Sequence, residues 1–212
     1  MDIKALAQDA APYVVERRHY YHQHPELTGE EKNTRDSIHR DLEALGITDI
    51  HELETCYGLT ATIHGGKPGK TVALRADIDA LPVKEETGLP FASHNEGKMH
   101  ACGHDGHATI GLGVAKVLMS IKDSLHGTMK LIFQPAEEGV RGAKSIVENG
   151  HLDGVDYLIG SHVSDKAADD PAVVIPGSHG SLATTKYDVF FHGVSAHAGG
   201  SPEKGKNVMP AV

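Results

Sequence analysis

The chain has 212 residues, of which 39% are hydrophobic, and a formal net charge of −9. This size is enough for one sizeable core and part of a second unit. The acidic charge argues against a general nucleic-acid surface, which needs a basic excess, and no apolar run reaches the length of a membrane span. The first residues read as an amphipathic helix without the apolar block of a secretion signal, so we expect a cytoplasmic protein.

Helices are predicted at the start of the chain, over residues 3–22 and 30–45, the second ending before Gly46. A third is predicted from Thr109 to Ile121 and a short one over residues 143–148. In the third helix one face carries most of the large apolar side chains: Ile110, Val114, Val117, Leu118 and Ile121.

Strands are predicted where short apolar runs rich in β-branched residues lie between glycines or prolines. These runs cover residues 59–65, 71–77, 128–134, 156–163 and 172–177. Because strands alternate with helices, we predict an α/β sandwich with a largely parallel or mixed sheet. In such folds, ligand sites collect beyond the carboxyl ends of the strands.

The pattern changes near Ser181. The residues that follow predict a new strand, a glycine-rich turn and a helix that starts at Pro202 and continues to Val212. We therefore expect one domain over residues 1–181 and the beginning of another over residues 182–212.

The segment MHACGHDGH places a cysteine and three histidines within nine positions. Cys102 and His104 are separated by a glycine, so both side chains can reach one cation. A thiolate together with an imidazole suits zinc best, with manganese, cobalt or nickel as alternatives. The competing interpretation is a buried cysteine beside a histidine that caps a helix.

Two pairs of carboxylates follow predicted strands. Glu137 and Glu138 are adjacent and point in opposite directions, so one could bind a metal while the other faces an attacking water, although adjacent glutamates are often only solvated charge. Asp77 and Asp79 share a face; they either cap the turn at Pro82 or serve as a metal ligand or as a support for a ligating imidazole.

Single histidines are weaker signals. His162 ends a predicted strand and is either a core histidine or a ligand, whereas His197 lies among glycines, where a surface position is the ordinary expectation. The remaining histidines, His22 among them, are assigned to helix ends and the surface.

Five blocks of the sequence, in this order, resemble the family of dinuclear-metal peptidases and amidohydrolases that includes aminoacylase-like, hippurate, indole-acetyl-amino-acid and aminobenzoyl-glutamate hydrolases. The blocks are RRHYYHQHPELTGEE, LRADIDALPVKEETGLPFAS, MHACGHDGHATIGLGVAKVL, LIFQPAEEGVRGAKSIVENG and GVSAHAGGSPEKGKN. The resemblance implies a three-layer α/β sandwich of the zinc-exopeptidase type over residues 1–181. Residues 182–212 would then begin an α+β lid or dimerisation domain, and members of this family are nearly twice as long as this chain.

The resemblance also implies a site for two divalent ions, zinc or manganese, with cobalt and nickel as alternatives. Asp79 would support the metal ligands. The ligands themselves would be Cys102, His104, Glu138 and His162.

For catalysis, the resemblance implies that Glu137 is the general base and that His197, on the lid, stabilises the oxyanion in a partner subunit. The expected reaction is hydrolysis of an N-acyl or N-aroyl amino acid, with aminobenzoyl-glutamate suggested by GGSPEKGKN, in a homodimer that binds neither nucleic acid nor membrane. Two alternatives remain open: a non-catalytic metal-binding or dimerising module, and, less favoured because no serine nucleophile motif is present, a serine or cysteine hydrolase.

Overall fold

The structure is a computed structural model that describes residues 2–139, 142–164 and 189–209. The chain divides into two compact units, Met1–Ala168 and Asp169–Val212. The predicted boundary between residues 181 and 182 lies outside the described residues and stays a prediction.

A five-stranded mixed sheet forms the centre of the first unit. Its order is β1-β2-β4-β3-β5, with β3 parallel to β4 and β5 and the other pairs antiparallel. Asp77 pairs with Gln134, so β3 and β4 end at the same edge of the sheet. The strands are β1 (Ile50–Glu52), β2 (Leu59–His64), β3 (Lys67–Asp77), β4 (His126–Gln134) and β5 (Tyr157–Gly160).

Four of the five predicted strands correspond to β2–β5, and the run at residues 172–177 lies outside the described residues. Prediction missed β1, which has only three residues and mostly faces solvent. Such a short edge strand carries no alternating apolar pattern to detect.

Helices cover both faces of this sheet, which confirms the predicted α/β class. Alternate residues of β4 show the arrangement: Leu131 and Phe133 join the core formed with the first three helices, while Ile132 packs with Ile146 of the fourth. The helices are α1 (Ile3–Gln23), α2 (Lys32–Ala44), α3 (His104–Ser120) and α4 (Gly142–Glu148).

Helix α3 starts five residues before the predicted Thr109. Gly103 has φ 91°, a left-handed conformation that only glycine adopts without strain, and the helix begins directly after it. His104 therefore lies on the helix and not in the preceding loop.

The buried face of α3 also differs from the predicted one. Ile110 is 41% exposed, whereas Ala108, Leu112 and Ala115 are buried. The helix lies close to the sheet, because a Cβ on Gly111 would be 3.1 Å from the Phe133 ring. Small residues make this close packing possible, so the core face of α3 combines Ala108, Gly111 and Ala115 with Leu112.

The second unit is described over residues 189–209. Val194 pairs with Lys206 in an isolated bridge, and a 3-10 turn covers Pro202–Lys204. The prediction of a helix from Pro202 onward is therefore wrong for these residues, since the bridge and the extended Gly205 end the turn. Residues 189–192 are not in a strand, and the earlier part of the strand predicted there lies outside the described residues.

In the part of the chain that the structure describes, none of the helices combines the length and the apolar character required to span a membrane.

Candidate metal centre

The predicted site residues of the first unit come together at the carboxyl edge of the sheet. Asp79 lies just beyond β3, the two glutamates follow β4, and His162 follows β5. Because β4, β3 and β5 are neighbours in the sheet, these loops meet at the start of α3, which brings Cys102 and His104 to the same place.

His104 is fully buried and is held by Asp79. Its Nδ1 donates to the Asp79 carbonyl oxygen at 2.9 Å and lies 3.2 Å from the Asp79 carboxylate. The opposite nitrogen, Nε2, is buried without a hydrogen-bond partner among the described residues, 4.0 Å from Glu138 Oε1 and 3.7 Å from Asp77 Oδ2. An imidazole nitrogen fixed in this way beside two carboxylates offers its lone pair to a cation.

The charge of this pair follows from its surroundings. Burial acts to lower the pKa of His104, but the hydrogen bond to Asp79 and the charges of Asp77 and Asp79 outweigh it and raise that pKa. Burial likewise acts to raise the pKa of Asp79, and hydrogen bonds from His104, Thr28 and the backbone of both glutamates reverse the effect and lower it. Asp79 is therefore a firmly ionised support for His104.

His162 and Cys102 form the second contact of the cluster. The Cys102 sulfur lies 3.4 Å from His162 Nε2, while His162 Nδ1 donates to the Val163 carbonyl oxygen at 2.5 Å. Both histidines thus use Nδ1 for support and direct Nε2 into the site. Burial and the nearby carboxylates raise the pKa of Cys102 to about 12, so the thiol keeps its proton unless a cation displaces it.

The two glutamates lie in a turn that starts with a strained residue. Ala136 has φ 53°, unusual for a residue other than glycine, and its N–H donates at 2.9 Å to Glu31, which is fully buried. The Glu138 N–H donates to Asp79 Oδ2 at 2.9 Å. As a result Glu138 is 23% exposed and lies beside His104, while Glu137 is exposed.

Among the described residues, three groups of side chains each have donor atoms that lie within 4.8 Å of one another: Cys102, His104 and His162; His104, Glu137 and Glu138; and Asp77, His104 and His107. The first two contain all four predicted ligands and share His104. Their sulfur, nitrogen and carboxylate donors fit divalent transition ions, so the residues present are compatible with the metal pair that the sequence predicts.

His197 belongs to the second unit and is exposed. Its Nδ1 accepts the backbone N–H groups of Gly199, at 3.2 Å, and Gly200, at 2.9 Å. Two donors on Nδ1 place the ring proton on Nε2, which leaves His197 with an N–H donor at its outer end.

His22 lies in the last turn of α1, in agreement with its assignment to a helix end, but the alternative of a surface position is wrong. This residue is buried, with Nδ1 2.8 Å from Asp105 Oδ2 and Nε2 3.1 Å from Glu85 Oε1. Arg18 contacts the same Asp105 oxygen at 3.1 Å. The spacing of four between Arg18 and His22, on one face of α1, was a signal for a shared partner, but the partner itself is 83 residues away.

Reasoning from sequence also missed Glu31 and His107. Glu31 carried no signal, because a glutamate at the start of a helix is ordinarily a solvated charge. His107 was hidden by its neighbours in a segment with three histidines.

The model of Peptidase family M20/M25/M40 matches residues 73–201, more than half of the chain. The chain belongs to this family. The matched residues include the acidic pairs, the Cys102–His107 segment and His197, so the family match covers the described cluster.

Individual relatives agree with this assignment. The chain is 51% identical over 163 residues to indole-3-acetyl-aspartic acid hydrolase of Enterobacter agglomerans, and 48% identical over 163 residues to one subunit of the p-aminobenzoyl-glutamate hydrolase of Escherichia coli (strain K12). Each match covers 73% of this chain and 37% of the relative. The chain thus spans less than half the length of these curated relatives.

Among solved structures, the fold is similar to a dinuclear metal binding peptidase from the M20 family of Bacillus subtilis. The TM-score is 0.69 with 42% sequence identity, covering 76% of this chain and 44% of the other. The predicted family and fold are thereby confirmed.

Proposed function

We propose that the protein is a metal-dependent amidohydrolase that cleaves the amide bond of N-acyl or N-aroyl amino acids with an activated water. The observation that carries this proposal is the buried Nε2 of His104, which has no hydrogen-bond partner among the described residues and lies beside two carboxylates. The names of the two relatives support the substrate class, since each describes an acyl or aroyl group joined to an acidic amino acid. Aminobenzoyl-glutamate is therefore among the first substrates to test.

In this proposal the cofactor is a pair of divalent ions, zinc or manganese, with cobalt or nickel as alternatives. Asp79 holds the imidazole of His104 in place. The ligands are Cys102, His104, Glu138 and His162, whose donors lie in the overlapping groups described above.

Bound divalent ions would lower the pKa of a water toward about 7 and polarise the scissile carbonyl. Glu137 takes the proton from the attacking water and returns it to the departing amine, a role that suits an exposed carboxylate beside the cluster. The neighbouring Glu138, held through its backbone by Asp79, stays in position as a ligand.

We assign His197 to the oxyanion. Its outer N–H, fixed by the two glycine amides on Nδ1, is the kind of donor that stabilises charge on a tetrahedral intermediate. The proposal places this histidine in the active site of a second subunit, so that the intact protein is a homodimer.

Metal analysis of the intact protein, combined with hydrolysis assays, tests the main proposal. We expect about two divalent ions per chain, release of the free amino acid from N-benzoyl, N-acetyl and aminobenzoyl substrates, and loss of both properties in a Cys102→Ala, His104→Ala double variant. Cys56→Ala is the matched control, because the Cys56 thiol is free and contacts Ser145 away from the cluster. Equal metal content in all three proteins would disprove the site.

Mixing two inactive proteins tests His197. Heterodimers of His197→Ala and Glu137→Gln would contain one site with both residues intact, so we expect part of the activity to return after subunit exchange. If exchange is demonstrated and the mixture remains inactive, His197 does not act across subunits.

A further inference from the structure

We propose that His107 is a positioning residue that fixes the backbone of Val163 and, through it, the ring of His162. The inference rests on the proposed function, in which His162 is a metal ligand. It assigns a task to a buried histidine that lies in the cluster but has no part in the catalytic scheme.

The hydrogen bonds of His107 determine where its ring proton lies. The backbone N–H of Val163 donates to His107 Nε2 at 2.9 Å, and a backbone amide can only be a donor. Nε2 therefore carries a lone pair, and the ring proton lies on Nδ1, which donates to Asp77. Both ring nitrogens are in use.

The backbone of Val163 connects His107 to His162. Its N–H is held by His107, and its carbonyl oxygen accepts from His162 Nδ1 at 2.5 Å. The two rings also meet edge to face, with centroids 4.5 Å apart. A shift of the Val163 backbone would move the oxygen that accepts from His162 Nδ1, and with it the ring that contacts Cys102.

The segment after β5 needs such an anchor. Residues 161–164 have no regular secondary structure, and His162 and Val163 are exposed. The Val163 side chain packs on Gly103, where an added Cβ would be 2.4 Å from it. β5 ends at Gly160 and does not hold this segment. The buried His107 lies beneath it and holds its backbone at Val163.

His107 is itself held across the sheet. Asp77 is fully buried, and its second carboxylate oxygen pairs with Arg75 at 2.7 Å. Arg75 in turn donates to Gln134 Oε1 at 2.9 Å. This chain of contacts runs from β4 through β3 to the segment after β5, following the order of the strands.

A competing interpretation makes His107 a metal ligand, because its ring lies in a donor group with Asp77 and His104. The contacts argue against it, since the lone pair that a metal would take already accepts the Val163 N–H. Nitrogen-15 NMR of the histidine rings in the intact, metal-free protein separates the two. We expect a protonated Nδ1 and an unprotonated Nε2 in His107, both unchanged when Zn²⁺ is added. A protonated Nε2, or a ring that responds to Zn²⁺ as a direct ligand, would overturn the proposal.

Two substitutions then divide the contacts of His107. Asparagine places an N–H near the position of Nδ1 and keeps the contact with Asp77, but it is too short to reach Val163. Glutamine places its amide oxygen near the position of Nε2 and can accept from Val163. We expect His107→Asn to speed amide hydrogen exchange at Val163 and to weaken Zn²⁺ or Co²⁺ binding on the order of 10- to 100-fold. In His107→Gln both the exchange rate and the metal affinity should lie closer to those of the wild-type protein.

The control is His39→Asn, which changes a partly exposed histidine paired with Glu52 and should alter neither property. Thermal melts of all variants exclude unfolding as the cause of a loss. Faster exchange at Val163 with unchanged metal affinity would overturn the positioning role while leaving the proposed function intact. A wild-type protein that binds no metal at all would instead overturn the function, and the positioning role with it.

Discussion

Two acidic pairs lie at the same edge of the sheet and have different surroundings. Asp77, the last residue of β3, and Asp79, just beyond it, are 0% and 1% exposed, and each is hydrogen-bonded to a histidine. Glu137 and Glu138, beyond the neighbouring β4, lie in a turn that is partly open to solvent. The pairs share their charge and their closeness to His104 but differ in what they contact.

This difference indicates separate roles for the two pairs. The aspartate oxygens accept hydrogen bonds from protein donors. Burial acts to raise the pKa of both aspartates. The hydrogen bond from His107 to Asp77 and that from His104 to Asp79 help to outweigh burial, so both pKa values are lowered. They are therefore ionised supports that cannot easily take a proton. The glutamates keep carboxylate oxygens near the cluster, where a metal or a water can contact them.

The largest effect should come from separating the two glutamates. Glu137→Gln removes the proposed base and should lower kcat on the order of 10²- to 10⁴-fold with metal content unchanged. Glu138→Gln should instead lower metal affinity, which steady-state kinetics and elemental analysis together will show. Exchanged results would exchange the roles, and an active Glu137→Gln protein would end the proposed mechanism.

Asp79→Asn should have the next largest effect, because it removes the charge that supports His104 while leaving the backbone carbonyl contact. We expect metal affinity to fall about 10- to 100-fold, measured by competition with a chelator. Asp49→Asn is the control, since Asp49 contacts His51 and His64 on the surface. Equal affinity in the two variants would contradict the supporting role of Asp79.

A smaller effect is expected at Glu31, whose carboxylate accepts the N–H of the strained Ala136. Burial raises the pKa of Glu31, against its backbone hydrogen bonds, so ionisation there costs folding energy at neutral pH. Glu31→Ala should lower the free energy of unfolding by about 1–3 kcal/mol because the amide loses its acceptor. Glu31→Gln, which keeps an acceptor without charge, should cost less in urea titrations, and the opposite order would exclude this role.

The smallest effect concerns pH and the buried pair of His22 and Asp105. The hydrogen bond to Asp105 raises the pKa of His22, although burial acts to lower it. Burial acts to raise the pKa of Asp105, but the hydrogen bond from His22 outweighs burial, so the pKa of Asp105 is lowered. The stability that His22 contributes is present below about pH 6.5 and is lost as the pH rises through the folded-state pKa of His22. The stability that Asp105 contributes is present above about pH 3.9 and is lost as the pH falls through the folded-state pKa of Asp105.

The pair should therefore stabilise the metal-free protein most between about pH 4 and 6.5. His22→Gln should flatten the decline of the unfolding free energy above that range, as followed by urea titrations at several pH values. His39→Gln should leave the profile unchanged, because His39 contacts Glu52 at a partly exposed position. A wild-type profile that stays level above pH 6.5 would disprove the contribution of His22.

The sequence by itself determined the class of the fold and the family. Strand and helix periodicities are local properties of the chain, so strands β2 to β5 and helices α1 to α4 were predictable from short windows. The donors of the site were also visible, because Cys102, His104 and the two glutamates occur in dense motifs, although their roles as ligands and base remain predictions.

The tertiary structure decided which groups hold these donors. Asp77 is 30 residues from His107, and Glu31 is 105 residues from Ala136, whose N–H donates to it. No local pattern reports such distances, since hydrogen bonds of this kind exist only after the sheet has brought the ends of its strands together. The same holds for the buried face of α3, where close approach to Phe133 selects small residues over the apolar stripe that periodicity favours.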